Sequence, residues 1–306
     1  MIRASKTQSL AWILVAYLSC IAAAGGYLYF AEGNRLVISL IADVIATAVI
    51  FGFSRAFRNS SFYDAYWSVI PPLLLVYWWQ TRAADAAVPV MRYALVSVVV
   101  WYWACRLTWN WARHWEGLAH EDWRYPLVRQ RFPRLEMFTD FFGIHLFPTV
   151  QVFLGMLPVY AAVALGNAPV GWLDYLACVV GVGAVTIQLI GDRQLHHFIE
   201  NRKPGQIIDS GLWGWSRHPN YFGEISFWFS LALFGLAAIG APAPAPAPAL
   251  SPADWWWQII GATSMLTMFL LVSIPLMEKR SLERRPQYRE VMQRVSMLLP
   301  LPPQRK

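Results

Sequence analysis

Long runs of sequence without a formal charge constrain this chain more than any other feature. Gln8–Ala31, Ala65–Thr81, Phe141–Leu173, Tyr175–Gly191, Ile225–Ala253 and Trp255–Met277 contain no Asp, Glu, Lys or Arg. A helix needs roughly 20 mostly apolar residues to cross a bilayer, because lipid offers no hydrogen-bond partner to backbone N–H and C=O groups. A soluble domain could bury one such run, but not several within 306 residues. Only 14% of the residues are charged, against about a quarter in soluble domains. The chain reads as an all-α, polytopic membrane helix bundle.

Eight spans are expected, at 8–31, 36–53, 62–80, 90–110, 138–165, 172–191, 219–240 and 255–277. Arg3 and Lys6 ahead of an apolar stretch also describe a secretory signal. The first run exceeds the usual signal core and seven spans follow it, so it reads as a retained helix. Lys and Arg in the connecting segments set the orientation. With a cytoplasmic N-terminus, 21 of the 25 basic residues fall on the cytoplasmic side. Arg35, Arg82 and Arg92 fall outside, and Arg106 lies at the end of a span. Both termini are therefore expected in the cytoplasm. The same asymmetry accounts for the net charge of +7: the basic segments meet anionic headgroups, and no nucleic-acid partner is required.

Three cysteines, Cys20, Cys105 and Cys178, stand alone in apolar runs with neither metal spacing nor a disulfide pattern. The six histidines form no series of boxes such as membrane di-iron sites need, so no metal is expected. Ala241–Ala249 alternates Ala and Pro and reads as an extended spacer. The tail from Glu278 reads as an amphipathic helix stopped at Pro300. No GxGxxG, GxxxxGK[ST] or GxSxG motif is present, so any nucleotide must be held between membrane helices.

The chemistry-bearing residues gather at the cytoplasmic face. Gly211–Glu224, GLWGWSRHPNYFGE, leads from a basic loop into the seventh span. A helix starting at Pro219 puts Asn220 and Glu224 on one face, with Tyr221 beside them and Arg217 and His218 just ahead. Ionisable groups inside a membrane are costly and usually mark a site; the plain structural alternative for Glu224 is pairing with a neighbouring Arg. The preceding segment, DRQLHHFIENRKPG, is expected to be a loop offering Asp192, Arg202 and Lys203. Arg and Lys beside a turn suit a phosphate or carboxylate. Glu121–Tyr125, EDWRY, lies in an Arg-rich loop, and Asp64, Trp67, Asp140 and His145 lie at cytoplasmic span ends. Asp43 lies inside the second span. Such a pocket suits a cytosolic cofactor on one side and a lipid on the other.

RKPG at 202–205, GLW at 211–213 and SRHPNYFGE at 216–224 resemble the C-terminal domain of the steroid 5α-reductase superfamily. The likeness is greatest to its bacterial branch of membrane proteins, which share an EDWRY-like loop and a D-x-x-W pair matching Asp64 and Trp67. It divides the chain into an N-terminal hairpin, 1–60, and a reductase-like domain, 61–306, with its cofactor site in 190–300. It implies that Asp192, Arg202, Asn220 and Glu224 bind NADPH. Arg217, His218 and Tyr221 match an element shared with the related isoprenylcysteine carboxyl methyltransferases, which bind S-adenosylmethionine in a similar place. Glu278 is the methyltransferase-like residue of the tail, and the family's N-terminal catalytic Glu and Tyr match no position of this sequence. The implied activity is NADPH-dependent reduction of an activated C=C bond in a hydrophobic, lipid or steroid-like substrate. Asp64 is the expected acid and a bacterial inner membrane the implied location. Methyl transfer from S-adenosylmethionine and a non-catalytic membrane protein are the alternatives.

Overall fold

The computed structural model describes residues 5–84, 86–239, 253 and 255–304. Among them every regular element is helical, apart from one isolated bridge between Ser216 and Ser296. The helices are α1 (Lys6–Phe30), α2 (Arg35–Phe57), α3 (Tyr66–Gln80), α4 (Val90–His114), α5 (Arg124–Arg131), α6 (Pro133–Leu165), α7 (Trp172–Asn201), α8 (Pro219–Ala237), α9 (Trp255–Arg284) and α10 (Tyr288–Arg294). The all-α membrane bundle expected from the sequence is the fold observed. Arg3 and the Ala-Pro stretch lie outside the described residues.

Six helices, α1, α2, α4, α6, α7 and α9, are long and apolar enough to cross a bilayer by themselves. The remaining two of the eight expected spans are α3 and α8. Helix α3 has only 15 residues and contains Pro71 and Pro72. Helix α8 carries Asn220 and Glu224 and is almost entirely enclosed by α4, α6, α7 and α9. Leu14, Leu18, Val98, Val179 and Leu271 are exposed. In water they would form an aggregation-prone surface, whereas here they face hydrocarbon.

Prolines shape the long helices. Helix α6 widens to π-helical turns at Asp140–Leu146 and Ala161–Leu165, beside Pro148 and Pro158. Proline lacks the N–H that would close the turn, freeing the carbonyl four residues back. For Pro158 that carbonyl belongs to Leu154, and a Cβ on Gly261 of α9 would stand 2.2 Å from its oxygen. Only glycine lets α9 approach so closely. Gly223 plays the same part between α8 and α7, since a Cβ there would meet the Ala184 carbonyl at 2.7 Å.

Two expected boundaries move. Asp192–Asn201 is not loop but the last turns of α7, and α9 continues through Glu278 to Arg284 before the short α10. A charged, amphipathic extension beyond the bilayer leaves no break in the hydrogen-bond ladder, so hydropathy ends before the helix does.

Candidate functional site

The cytoplasmic halves of α4, α7 and α8 converge on one carboxylate. Arg106 Nη1 donates to Asp192 Oδ2 at 2.7 Å, and Asn110 Nδ2 to the same oxygen at 3.4 Å. Asn220, in the first turn of α8, also faces Asp192. One turn deeper, the Glu224 carboxylate accepts from Trp103 Nε1 at 3.1 Å and Trp228 Nε1 at 3.0 Å. Its direct partners are indoles, not the arginine expected for a structural role. Arg106 Nε and both polar atoms of the Gln188 amide are buried without a hydrogen-bond partner among the described residues. Gln188 lies one turn before Asp192 on α7. Buried polar atoms left unpaired by the protein itself remain open to a ligand or an ordered water.

The other expected residues separate into neighbouring groups. Arg202 leaves the end of α7 and, with Lys203, Arg284 and Arg285, lines a groove of 390 Å³ that has no carboxylate in its lining among the described residues. Burial and the like charges of Arg202 and Arg284 hold the Arg285 guanidinium below its ordinary pKa. Four cations held together without a counter-charge fit a phosphate-bearing ligand. Ten helical residues separate Asp192 from Arg202, about 15 Å along the axis, so one ligand reaching both must be extended.

Arg217 and His218 both meet Glu278. Arg217 Nε donates to Glu278 Oε1 at 2.7 Å, and its Nη1 to the carbonyls of Val295 at 2.7 Å and Met292 at 3.0 Å. His218 Nε2 lies 3.2 Å from the same Glu278 oxygen, and the Tyr221 ring stacks on the His218 ring at 5.3 Å. These residues clamp α9 and the C-terminal segment to the start of α8, and Glu278 is already occupied.

Asp64 and the EDWRY loop meet, although 61 residues separate Tyr125 from Asp64. The Tyr125 hydroxyl donates to Asp64 Oδ1 at 2.5 Å. Arg124 grips Asp122 through two nitrogens, at 2.9 and 3.0 Å, and Arg280 of α9 lies 3.5 Å over the Trp123 ring. The loop therefore ties the segment ahead of α3 to the cytoplasmic end of α9. Asp64 precedes α3, outside the membrane helices, and burial pushes its carboxyl up to about 6 against the opposing effect of the Tyr125 hydroxyl. Burial also acts to raise Asp122, but the bidentate Arg124 holds it below its ordinary value. Trp67 stands edge-on to Trp103, linking this region to the indole that holds Glu224.

A second polar cluster lies within the N-terminal half. Tyr66 OH donates to Asp43 Oδ1 at 2.7 Å and accepts from Thr47 at 3.2 Å; Thr47 meets Thr149 at 2.9 Å, and Thr149 meets Tyr63 at 2.8 Å. All five are buried.

A family model matches residues 50–295: DUF1295, proteins of unknown function. The chain belongs to the DUF1295 family. This DUF1295 chain is also similar to an uncharacterised protein of Schizosaccharomyces pombe, 25% identical over 294 residues, covering 89% of this chain and 81% of the relative. No solved structure matches it. The family match begins inside α2, so it takes in the whole Asp192–Glu224 cluster but leaves out Asp43 and Thr47 of the second one.

Sequence reasoning placed Asp192, Asn220 and Glu224 together and joined Asp64 to the EDWRY loop only by resemblance. It missed Trp103, Gln188, Arg284 and Arg285 as site residues. Gln188 had a readable signal, as an amide in a charge-free span; Trp103, one of 17 tryptophans, had none. No group of three or more metal-ligating side chains occurs among the described residues.

Proposed function

We propose that this DUF1295 protein is a membrane-embedded, NADPH-dependent reductase of an activated C=C bond in a lipid or steroid-like substrate. DUF1295 is associated with steroid 5α-reductase-like proteins. The observation that carries the reading is the pairing of two features on α7. An under-satisfied polar cluster surrounds Asp192, and a groove with four cations and, among the described residues, no carboxylate lies about 15 Å away at Arg202. That combination suits a ligand with a polar head at one end and phosphates at the other.

NADPH, when bound, supplies a hydride. Arg202, Lys203, Arg284 and Arg285 would hold its phosphates. The Gln188 amide and Arg106 Nε are donors and acceptors left for its polar atoms, while Glu224, fixed by two indoles, and Asn220 orient it. Asp64 is the proton donor of this reading. Raised to about 6 by burial, it holds and releases a proton near neutrality. In this reading the EDWRY loop, through Tyr125, shields the Asp64 carboxyl from water. The bacterial branch that the sequence resembles puts the protein, in this reading, in a bacterial inner membrane.

Thermal stabilisation of the detergent-purified protein by NADPH, NADH and S-adenosylmethionine in parallel tests this. A ligand that binds only the folded state stabilises by about 2.7 kcal/mol at a hundredfold excess over Kd. The expected result is a shift with NADPH that Asn220→Ala and Glu224→Gln each cut to about half at the same NADPH concentration. A shift with S-adenosylmethionine alone would overturn it in favour of methyl transfer, and no shift with any of the three would favour a non-catalytic protein.

A further inference from the structure

A groove of 920 Å³ runs between α3, α4 and α7 and is separate from the cation groove at Arg202. Its deep end is apolar, formed by Leu73, Trp101 and Cys105, all exposed on the bundle surface. At the shallow end the lining becomes Arg113, Arg193, His114 and His196. Trp101 to Arg113 spans twelve residues of α4, about 18 Å, which is close to the roughly 15 Å depth of one hydrocarbon leaflet. Since α4 and α7 both end in the cytoplasm, the groove crosses the inner leaflet alone, with its polar end at the headgroups.

That polar end is built for an anion. The Arg106 charge is met by Asp192, whereas Arg113 and Arg193 make no ion pair among the described residues. Among the described residues Glu200 is the one other carboxylate of the lining, at the exposed rim. His114 and His196 stack at 3.7 Å with their planes 9° apart. Each Nδ1 donates to the carbonyl one turn back, Asn110 at 2.9 Å and Asp192 at 2.8 Å; the neutral rings then carry a lone pair on Nε2, so the charge that meets an anionic head is that of Arg113 and Arg193. The volume lies at the upper end of the roughly 300–1,000 Å³ typical of small-ligand sites, which suits a single-chain molecule rather than a diacyl lipid.

We propose that the groove between α3, α4 and α7 binds a single-chain amphiphile with an anionic head, entering sideways from the inner leaflet. Asp192 belongs to both this groove and the candidate cofactor cluster, so the amphiphile names the substrate class of the proposed reductase. The role as substrate rests on that reading; the binding does not.

The test uses the full chain in a non-ionic detergent with radiolabelled oleate, oleyl alcohol and methyl oleate as probes. Oleate should bind saturably at one per chain, roughly tenfold more tightly than either neutral probe. Arg113→Ala with Arg193→Ala should erase that preference. Thr108→Trp, which fills the groove, should abolish binding while its elution profile and helical content match the parent. Oleate should also slow alkylation of Cys105 and leave Cys178, on the outer half of α7, unchanged. Non-saturable uptake, equal affinity for all three probes, or indifference to the substitutions would overturn the proposal. NADPH stabilisation measured on the same samples separates the two claims: oleate binding without an NADPH response would sink the reductase reading alone, and the converse would sink the groove alone.

Discussion

Helices α4 and α7 are joined by two Arg–Asp pairs, Arg92–Asp174 near the outer face and Arg106–Asp192 near the inner one, and the two are built to different standards. Arg92 is fully buried. Its guanidinium meets both Asp174 oxygens, at 2.7 and 3.1 Å, and the carbonyls of Ala168, Pro169 and Ala237 at 2.9, 3.2 and 3.1 Å. Asp174 in turn accepts from the Gly171 N–H at 2.9 Å. Each of the three guanidinium nitrogens has a partner. Arg106 makes one bond of 2.7 Å to Asp192, keeps an unpartnered Nε, and borders an open groove. Full satisfaction pins the outer ends of α4, α7 and α8, whereas incomplete satisfaction at the inner end leaves hydrogen-bonding capacity for a ligand.

The largest expected effect follows from breaking the sealed pair. Arg92→Ala leaves Asp174 buried and uncompensated, which costs about 3–5 kcal/mol. Its melting temperature should fall steeply while the NADPH affinity of the surviving folded protein is unchanged. Arg106→Ala should show the opposite balance, with a smaller fall in melting temperature and no NADPH response. Equal stability losses for the two would remove the distinction between pin and site.

Glu224→Gln comes next. An amide oxygen still accepts from the Trp103 and Trp228 indoles, so stability should change by no more than about 1 kcal/mol. NADPH affinity should fall about tenfold, an effect of ~1.4 kcal/mol. A stability loss with NADPH affinity intact would return Glu224 to a structural role.

The same two pairs show what the sequence could reveal. The charge-free runs announced the bundle, and Pro219 announced the start of α8, because backbone demands in lipid are local and residue-specific. Arg92 and Asp174 were visible as charges beside spans, but nothing local says that they meet across 82 residues. Asp192 was visible and was read as loop, since a charged continuation of α7 beyond the apolar run carries no hydropathy signal. Trp103 was hidden among other tryptophans, and its part in holding Glu224 exists only once α4 packs on α8.

The smallest expected effects concern pH, and they belong to the inner end. The Asp64 carboxyl rises from 3.8 to about 6 on folding, so between those values the folded chain binds more protons than the unfolded one. Stability from this group therefore falls as pH rises from about 4 to about 6 and is level above that. Melting temperature measured across this range should show the decline, and Asp64→Asn should flatten it. Tyr125→Phe sharpens the assignment. Its hydroxyl favours the ionised carboxylate, so removing it should move the upper end of the decline above pH 6, while the lost hydrogen bond costs only about 1 kcal/mol. A downward move would mean that the hydroxyl favours the protonated acid instead. The proton shared by Asp64 and Tyr125 would then belong to the loop's packing rather than to a donor poised at the mouth of the site.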